Sequence, residues 1–418
     1  MSDLTTSPAV INYINRLFKD YYTNHPVSNI VDISTREFGI GAFGKKISKR
    51  HLAFSNLKSF NDYLKTNTPF FVSYSVGYYK YPDRRPMENK QLTGADIVYE
   101  FDVDDFNLPC QDRHNVWVCK DPSCGDYGYG NKEFCETCKK PAKITQWTCD
   151  EGLDKVKSET IRLINFLESE FKLDPSTFII SFSGSKGYHV RITDKSIIPL
   201  SKSARLQLMN YIFAVNLDLE KLGFRTIGKK RFCPDINNSK GWSKKIIDYI
   251  YNLISNSTAK DLENSLNISK KQAILLYDHK QTILKQMIHN NILWNDFRNS
   301  NKLWDKITSK AVDDLRLKID PQSSSDIYKI MRVPDTIHGG TGFLSTSIKD
   351  IDSLKEFDAF SDPVVLRSEK IKKVKLLQIT PKFRLLQEIY GPYKVNDTIE
   401  VPEHVAIFLV LKGVAKFE

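Results

Sequence analysis

The 418-residue sequence predicts an α/β fold, with helices and a mixed sheet in one core. Strand and helix patterns alternate before residue 108, six of the seven cysteines lie between Cys110 and Cys149, and helical periodicity dominates residues 203–305. We therefore expect a core interrupted by a metal-binding insertion and by an all-helical subdomain. The expected order is core 1–108, metal-binding insertion 109–150, core 151–202, helical subdomain 203–308 and core 309–418.

Composition and charge predict a folded chain with a polyanionic partner. Apolar residues make up 41% and charged residues 27%, which is ordinary for a globular protein and excludes general disorder. The 61 lysines and arginines exceed the 50 acidic residues, and the net charge of +11 favours nucleic acid as a partner. The N-terminus lacks a signal-peptide pattern, and the longest apolar run, Val405 to Leu411, is too short for a bilayer. We expect a cytoplasmic protein that does not bind membranes and, in a prokaryotic cell, associates with the nucleoid.

The first group of chemically informative residues lies on a predicted strand from Ile97 to Asp104. Side chains alternate along a strand, so Glu100, Asp102 and Asp104 are expected to share one face. Carboxylates so close repel each other unless a cation lies between them, and their oxygens suit Mg²⁺ or Mn²⁺. An exposed strand end is the alternative interpretation of an Asp-x-Asp pair.

The second group follows a predicted helix, Asp154 to Phe171, and a predicted strand, Phe178 to Phe182. Its sequence is Ser-Gly-Ser-Lys-Gly-Tyr-His, beginning at Ser183. The two glycines allow the backbone to approach a ligand, and Ser183, Lys186 and His189 offer donors suited to phosphate oxygens. A hairpin turn with a surface lysine and a structural histidine is the alternative.

The third group begins at the end of a strand-like alternation from Leu315 to Asp320. Asp320 is expected on the polar face, where it could join the Asp-x-Asp pair as a third metal ligand. Arg332 and His338 follow, the latter in the context His-Gly-Gly-Thr-Gly, and both could bind a triphosphate. Taken singly, a surface salt bridge and a turn histidine are the simpler interpretations.

The cysteine-rich insertion has the spacing of a zinc module. Its candidate ligands are six cysteines and one histidine: Cys110, His114, Cys119, Cys124, Cys135, Cys138 and Cys149. The middle four cysteines form two close pairs, a zinc-ribbon spacing that suits a tetrahedral ion. Seven ligands do not fill two tetrahedra, so a second site takes another ligand, or one site combines Cys110 and His114 with Cys135 and Cys138. Because these ligands can saturate the ion, the zinc is expected to be structural.

In this order the three groups resemble the small catalytic subunit of archaeal and eukaryotic DNA primases. The family joins an Asp-x-Asp strand, a Ser-Gly-x-x-Gly-x-His segment and an Asp eighteen residues before a His in Pro-x-x-x-His-Gly-x-Thr-Gly. Asp320 and His338 show that spacing, and motifs at Arg36 to Gly39 and Val401 to Glu403 extend the resemblance over most of the chain. Many members carry arginine where Ser185 and Lys186 stand, so Ser185 receives no role here, while Lys186 keeps the charge.

The resemblance implies the roles of the individual residues. Two divalent cations, Mg²⁺ or Mn²⁺, would be held by Asp102, Asp104 and Asp320. The nucleoside triphosphate would be bound by Ser183, Lys186, His189, Arg332, His338 and Arg50. The family also implies primer synthesis on single-stranded DNA at the start of replication, in a heterodimer with a large subunit that carries an iron–sulfur cluster.

Two other functions remain open from the sequence. A repair or end-joining polymerase of the same superfamily would share the site but would depend on a primer. A non-catalytic zinc-ribbon protein that binds nucleic acid would fit the basic charge. Three acidic residues directed at one place argue against a pure binding protein, because without metal they would repel phosphates.

Overall fold

The computed structural model describes residues 7–317 and 325–418. The chain divides into two compact units. Unit 1 is drawn from residues 1–206 and 318–418, and unit 2 is Gln207–Leu317. Within the described residues, no helix is both long enough and apolar enough to cross a membrane.

Helices and strands are mixed along the described chain. The α-helices are α1 Pro8–Asn24, α2 Leu57–Asn67, α3 Gln111–His114, α4 Asp150–Phe171, α5 Lys202–Ile212, α6 Gly241–Asn256, α7 Ala259–Leu266, α8 Lys270–Asp278, α9 Lys280–Asn290, α10 Ser300–Leu315, α11 Ile351–Glu356 and α12 Glu403–Leu411. The strands are β1 Phe38–Ala42, β2 Lys45–Leu52, β3 Phe71–Ser75, β4 Gly77–Tyr79, β5 Leu92–Ala95, β6 Ile97–Asp102, β7 Val116–Cys119, β8 Tyr127–Tyr129, β9 Ala142–Thr145, β10 Phe178–Phe182, β11 Gly187–Ile192, β12 Thr226–Ile227, β13 Lys230–Phe232, β14 Ile292–Leu293, β15 Ile330–Arg332, β16 Ser347–Ile348, β17 Ile371–Leu376, β18 Phe383–Leu385, β19 Glu388–Tyr390, β20 Thr398–Pro402 and β21 Ala415–Phe417. The prediction of a mixed helix-and-sheet fold is therefore confirmed. The named strands of the described residues pair only in antiparallel fashion, so the prediction of a mixed sheet was wrong.

Two four-stranded antiparallel sheets organise unit 1. Their strand orders are β15-β3-β1-β2 and β16-β10-β11-β6. Strand β10 has the predicted bounds, because its aromatic and β-branched side chains suit a buried pleated surface. Helix α4 contains the predicted helix and begins earlier, with Asp150 and Glu151 in its first turn, where carboxylates favour the helix dipole. It packs on β11 and β6 and so covers one face of the second sheet.

The longest apolar run of the sequence forms a buried helix. Every residue of α12 is buried, from Glu403 to Leu411. The helix packs against β17, β20 and β21, which form a three-stranded sheet near the C-terminus. Its apolar composition is thus explained by burial on all sides.

The cysteine-rich segment forms a small sheet of its own, in the order β8-β7-β9. Trp117, Cys119 and Cys135 are buried together, and Ile144 packs against them. So few apolar side chains give a short segment little core, which is the situation in which a bound metal supplies folding energy.

Unit 2 is mainly helical, but it is not all-helical, and that prediction was wrong. Helix α6 buries Ile246, Ile247 and Ile250, as the helical periodicity of this segment indicated. The segment also contains the sheet β12-β13-β14, whose first two strands meet at Gly228, where φ is +58°. Strands of two or three residues are too short to show an alternation in the sequence.

The strand-like alternation from Leu315 was also misinterpreted. Leu315 is the last residue of α10, and Leu317 lies outside any strand. Apolar residues recur at intervals of four along this helix, and they are buried up to residue 311. They are Leu303, Ile307, Ala311 and Leu315. This helical period, and not the short alternation that begins at Leu315, determines the structure of residues 300–315. Asp320, the proposed third metal ligand, lies outside the described residues.

Candidate active site and metal centre

The Asp-x-Asp pair lies where a strand becomes a tight turn. Asp102 ends β6, and Val103–Asp105 form a 3₁₀ turn. The turn is capped because the Asp102 backbone N–H donates to Asp105 Oδ2 at 3.0 Å. The prediction that Asp102 and Asp104 share one face of a continuous strand was therefore wrong, since the strand ends between them.

Lys186 nevertheless brings these two carboxylates together. Its Nζ lies 3.6 Å from Asp102 Oδ2 and forms an ion pair with Asp104 Oδ2. The Asp102 and Asp104 side chains are 33% and 24% exposed, so dissolved cations can reach them. A single ammonium between two carboxylates leaves one negative charge uncompensated and marks a position suited to a cation, and oxygen ligands suit Mg²⁺ or Mn²⁺.

The position of Lys186 depends on the close pairing of β11 with β6. Gly187 lies opposite Asp102 in this pairing. A Cβ at Gly187 would lie 1.9 Å from the Phe101 carbonyl oxygen and 2.4 Å from Asp102 Oδ1. Only glycine therefore permits the strands to approach here, and the preceding residue, Lys186, is carried against the carboxylates.

Ser183 shapes the turn between β10 and β11. Its Oγ accepts hydrogen bonds from the backbone amides of Ser185, Lys186 and Gly187 at 3.3, 3.3 and 3.1 Å. The hydroxyl thus fixes the segment that presents Lys186. The segment is thus a structural turn, as the simpler interpretation predicted. The same turn also presents the charged side chain of Lys186 to the carboxylates, so the two interpretations are compatible.

The His-Gly-Gly-Thr-Gly segment is joined directly to this turn. Thr341 Oγ1 donates to the Gly184 carbonyl oxygen at 2.6 Å. Gly184 has φ of +78°, and a Cβ there would lie 2.8 Å from His338 Cβ. The two glycine-containing segments are far apart in the sequence, but their backbones therefore approach each other closely. Both segments belong to one site.

Both predicted histidines are neutral at pH 7. Burial lowers the pKa of His189 to about 4. Burial, followed by the charge of Arg332, lowers the pKa of His338 well below its usual value. His338 Nδ1 lies 3.1 Å from Thr341 Oγ1 and 3.2 Å from the Gly340 amide nitrogen, so its Nε2 is the ring nitrogen left for a ligand.

Arg332 supplies a permanent positive charge. It ends β15, and burial lowers its pKa to about 10, which keeps it protonated at neutral pH. Its Nη1 is buried and has no hydrogen-bond partner among the described residues. A buried donor without a hydrogen-bond partner costs free energy, so this nitrogen is suited to donate a hydrogen bond to an anion.

Sequence analysis missed the partners of Glu100. This carboxylate lies opposite His189, with Oε1 3.8 Å from His189 Nε2, and it forms an ion pair with Lys329. Glu100 was placed on the acidic face without a role. One feature of the sequence could have indicated this contact. Lys329 lies three residues before Arg332, at the start of a strand-like segment.

Arg50 stands apart from this constellation. Its Nε lies 3.0 Å from the buried Glu37 Oε1, and its Nη2 lies 3.5 Å from the Tyr328 carbonyl oxygen. Among the described residues, none of its hydrogen bonds or ion pairs reaches Asp102, Lys186 or either histidine. Its role toward a triphosphate stays a prediction from the family resemblance.

The cysteines form two groups in space. The first comprises Cys119, Cys124, Cys135 and Cys138, whose sulfur atoms all lie within 4.8 Å of one another. The Sγ atoms are 3.4 Å apart for Cys119 and Cys138, and 3.7 Å apart for Cys124 and Cys135. Zn–S bonds of about 2.3 Å give tetrahedral S···S edges of about 3.8 Å, so these residues fit a zinc ion.

The second group comprises Cys110, His114 and Cys149. His114 Nδ1 lies 3.2 Å from Asn115 Oδ1, and its Nε2 is buried without a hydrogen-bond partner among the described residues. A histidine oriented through one nitrogen, with the other free, is the usual arrangement of a metal ligand. The structure does not bring Cys110 and His114 together with Cys135 and Cys138, so the alternative subset is not supported.

Comparison with known proteins yields one consistent family. A family model described as DNA primase small subunit matches residues 149–350. Proteins named DNA primase small subunit PriS are similar to the chain along nearly its whole length. The relative from Methanothrix thermoacetophila is 25% identical, over 97% of this chain and 98% of its own. The relative from Nitrosopumilus maritimus is 25% identical, over 97% of this chain and 98% of its own. The relative from Thermoplasma volcanium is 28% identical, over 96% of each chain.

The strand pairing at Gly187 gives the first testable prediction. Gly187→Ala should lower the free energy of unfolding by about 1–3 kcal/mol, because the new Cβ overlaps the Phe101 carbonyl. Urea denaturation followed by circular dichroism measures this loss. Ser185→Ala, two residues away in the same turn, should leave the unfolding midpoint unchanged. An unchanged midpoint for Gly187→Ala would show that the two strands are not this close.

The four-cysteine group gives the second prediction. Cys138→Ser should lower the zinc content and the melting temperature, since it removes one of four sulfurs that fit a zinc ion and the segment around it has little core of its own. Elemental analysis of the purified protein before and after the substitution measures the zinc content. Cys233→Ser, which replaces a buried cysteine in unit 2, should retain all of the zinc. Equal zinc in wild type and Cys138→Ser would contradict the assignment.

Proposed function

We propose that this chain, which belongs to the DNA primase small-subunit family, is the catalytic subunit of a DNA primase and makes short primers on single-stranded DNA from nucleoside triphosphates. One observation carries the proposal. The two carboxylates at the end of β6 meet the ammonium of Lys186, and the two glycine-containing segments add His189 and His338 while the end of β15 adds Arg332. A site that pairs carboxylates for cations with donors for phosphates is suited to nucleotidyl transfer.

Asp102, Asp104 and Asp320 would hold two Mg²⁺ or Mn²⁺ ions. When bound, these ions lower the pKa of the attacking 3′-hydroxyl and neutralise the charge that develops on the leaving pyrophosphate. The ion pairs of Lys186 support the fit, because a cation already lies against both described carboxylates. Once those carboxylates have metal partners, the ammonium of Lys186 is free to bind phosphate.

The remaining donors would orient the triphosphate. Arg332 contributes charge and an unpaired Nη1, while His189 and His338 contribute neutral N–H groups. Donors fixed by burial before the substrate arrives need no reorganisation during the reaction, which makes them effective at stabilising developing charge. Ser183 would act by holding the turn that presents Lys186. Arg50 would contact the triphosphate only after leaving Glu37.

We further propose that residues 109–150 and 203–308 are insertions in a core formed by residues 1–108, 151–202 and 309–418. The four-cysteine group would hold a structural zinc ion, because its four sulfurs leave no coordination position open. Outside the two cysteine groups, Cys233 is the one cysteine of the chain. The chain therefore has no cysteine set left for an iron–sulfur cluster of its own. The heterodimer with a large subunit that carries such a cluster is what the family resemblance implies. We place this heterodimer in the cytoplasm, at the nucleoid of a prokaryotic cell.

Primer synthesis gives the third prediction. The chain, tested with and without its large subunit, should make new short strands on unprimed single-stranded DNA with labelled nucleotides and Mg²⁺ or Mn²⁺. Asp102→Asn should abolish this synthesis, because it removes a negatively charged metal ligand without changing the size of the side chain. Asp112→Asn, an exposed carboxylate in the short helix α3, is the matched control and should remain active.

Each other outcome assigns a different function. Extension of added primers without new initiation would favour a repair or end-joining polymerase. Equal activity of wild type and Asp102→Asn would refute the site. Absence of synthesis even with the large subunit, together with DNA binding, would favour the non-catalytic nucleic-acid-binding protein, which the charge of +11 and the cysteine-rich sheet also fit.

Arg332 Nη1, which has no hydrogen-bond partner among the described residues, gives the fourth prediction. Arg332→Gln should lower kcat/KM for nucleoside triphosphate by about 100-fold or more, the usual cost of losing one preorganised donor. Steady-state primer synthesis measures the ratio. Arg316→Gln, which removes an arginine paired with Asp313 in unit 2, should leave it unchanged. Equal losses in both variants would mean that Arg332 acts only through the overall charge.

A further inference from the structure

Lys412 is a cation near the candidate site that the proposed mechanism does not use. It follows α12 directly, as the residue that caps the C-terminus of this helix, and it is partly buried. Its Nζ donates to the Gln146 backbone oxygen at 2.8 Å. The same Nζ lies 4.6 Å from the centre of the Trp147 ring and 5.8 Å from that of Phe408. The side chain is thus held in place by one carbonyl oxygen and two aromatic rings.

Gln146 connects Lys412 with the carboxylate end of the site. Its side-chain Oε1 lies 3.5 Å from Lys186 Nζ, while its backbone oxygen accepts from Lys412. Two ammonium groups therefore contact opposite ends of one residue, and the chain of contacts runs from the carboxylates through Lys186 and Gln146 to Lys412. The charge of Lys412 also contributes to the lowered pKa of His338, which places it near the histidine side as well.

No carboxylate of the described residues compensates the charge on Lys412. Lys186 has two carboxylate partners, but no ion pair of Lys412 is found in residues 7–317 and 325–418. Burial first, and the charge of Lys186 second, lower the pKa of Lys412 to about 8, so it remains mostly protonated at pH 7. Two neighbouring ammonium groups repel each other in a partly buried setting. An anion between them removes this repulsion and supplies the missing counter-charge.

We propose that Lys412 binds the β- and γ-phosphates of the incoming nucleoside triphosphate, together with Lys186. The inference rests on the proposed function, because it takes the carboxylates as the end of the site where the α-phosphate reacts. The phosphates that leave as pyrophosphate would then lie along the chain of contacts toward Lys412. Charge-assisted hydrogen bonds from a lysine to phosphate are among the stronger polar contacts in proteins.

A purely structural role for Lys412 predicts different behaviour. As a helix cap packed on Trp147, it would contribute to stability and not to phosphate binding. Lys412→Met keeps the length and the apolar stem that packs on the ring, but it removes the charge. Lys412→Arg keeps the charge. Lys416→Met, an exposed lysine in β21, is the matched control.

The test measures binding of inorganic pyrophosphate, a nucleoside triphosphate and a nucleoside monophosphate by calorimetry, with Mg²⁺ present. Lys412→Met should weaken binding of the first two ligands by about 10-fold or more and leave the monophosphate unchanged. Lys412→Arg should restore most of the affinity, and Lys416→Met should behave as wild type. In primer synthesis, the KM for triphosphate should rise more than kcat falls.

Four results would overturn the inference. Lys412→Met could bind pyrophosphate as tightly as wild type, or it could lose the monophosphate to the same extent. Alternatively, Lys412→Arg could share its loss of affinity together with a fall in melting temperature, which would assign the residue to packing. Primer synthesis with an unchanged KM in Lys412→Met would sink this inference alone. A wild type that binds pyrophosphate through Lys412 but makes no primers would sink the proposed function alone.

Discussion

The approach of β11 to β6 at Gly187 is the constraint on which the site depends. The Phe101 carbonyl and the Asp102 side chain occupy the space that a Cβ would need, so the two strands meet only because one residue has none. This contact carries Lys186 against Asp102 and Asp104. It also fixes the turn whose Gly184 carbonyl accepts from Thr341, and that bond brings His338 to the same place. One close backbone contact thus joins three segments that are distant in the sequence.

Electrostatics then divides the site into two halves. Two carboxylates at the end of β6 form the negative half, and Lys186 is shared between them. The other half contains Arg332 and Lys412, neither of which has an ion pair within residues 7–317 and 325–418, and two histidines that burial keeps neutral. An uncompensated cationic half is unfavourable without a ligand and favourable with a polyphosphate. The same burial that makes the empty site costly makes its contacts with phosphate stronger, since less water competes for them.

Much of this arrangement could be predicted from the sequence, because a local sequence pattern determines the structure where the pattern is long or has clear boundaries. Strand β10 and the interior of α4 follow from side-chain periodicity, and the four-cysteine group follows from its spacing. The 3₁₀ turn after Asp102 was not predictable, since it depends on a cap from Asp105 that competes with continuation of the strand. Lys412 was missed for another reason. Nothing in its local sequence distinguishes it from a surface lysine, and only the tertiary packing of α12 places it beside Gln146.

The position of the cysteine-rich segment connects the candidate metal ligands with the candidate active site. Gln146 and Trp147, which contact Lys186 and Lys412, lie between β9 and α4 at the end of this segment. The Trp147 backbone N–H donates to Asn115 Oδ1 at 2.9 Å, and the same oxygen lies 3.2 Å from His114 Nδ1. A metal ion on His114 would therefore fix Asn115, and Asn115 would fix the residues that hold the two lysines. In this arrangement a structural ion that never meets the substrate would still bear on the proposed phosphate site, because Asn115, Trp147 and Gln146 connect its histidine ligand to the two lysines.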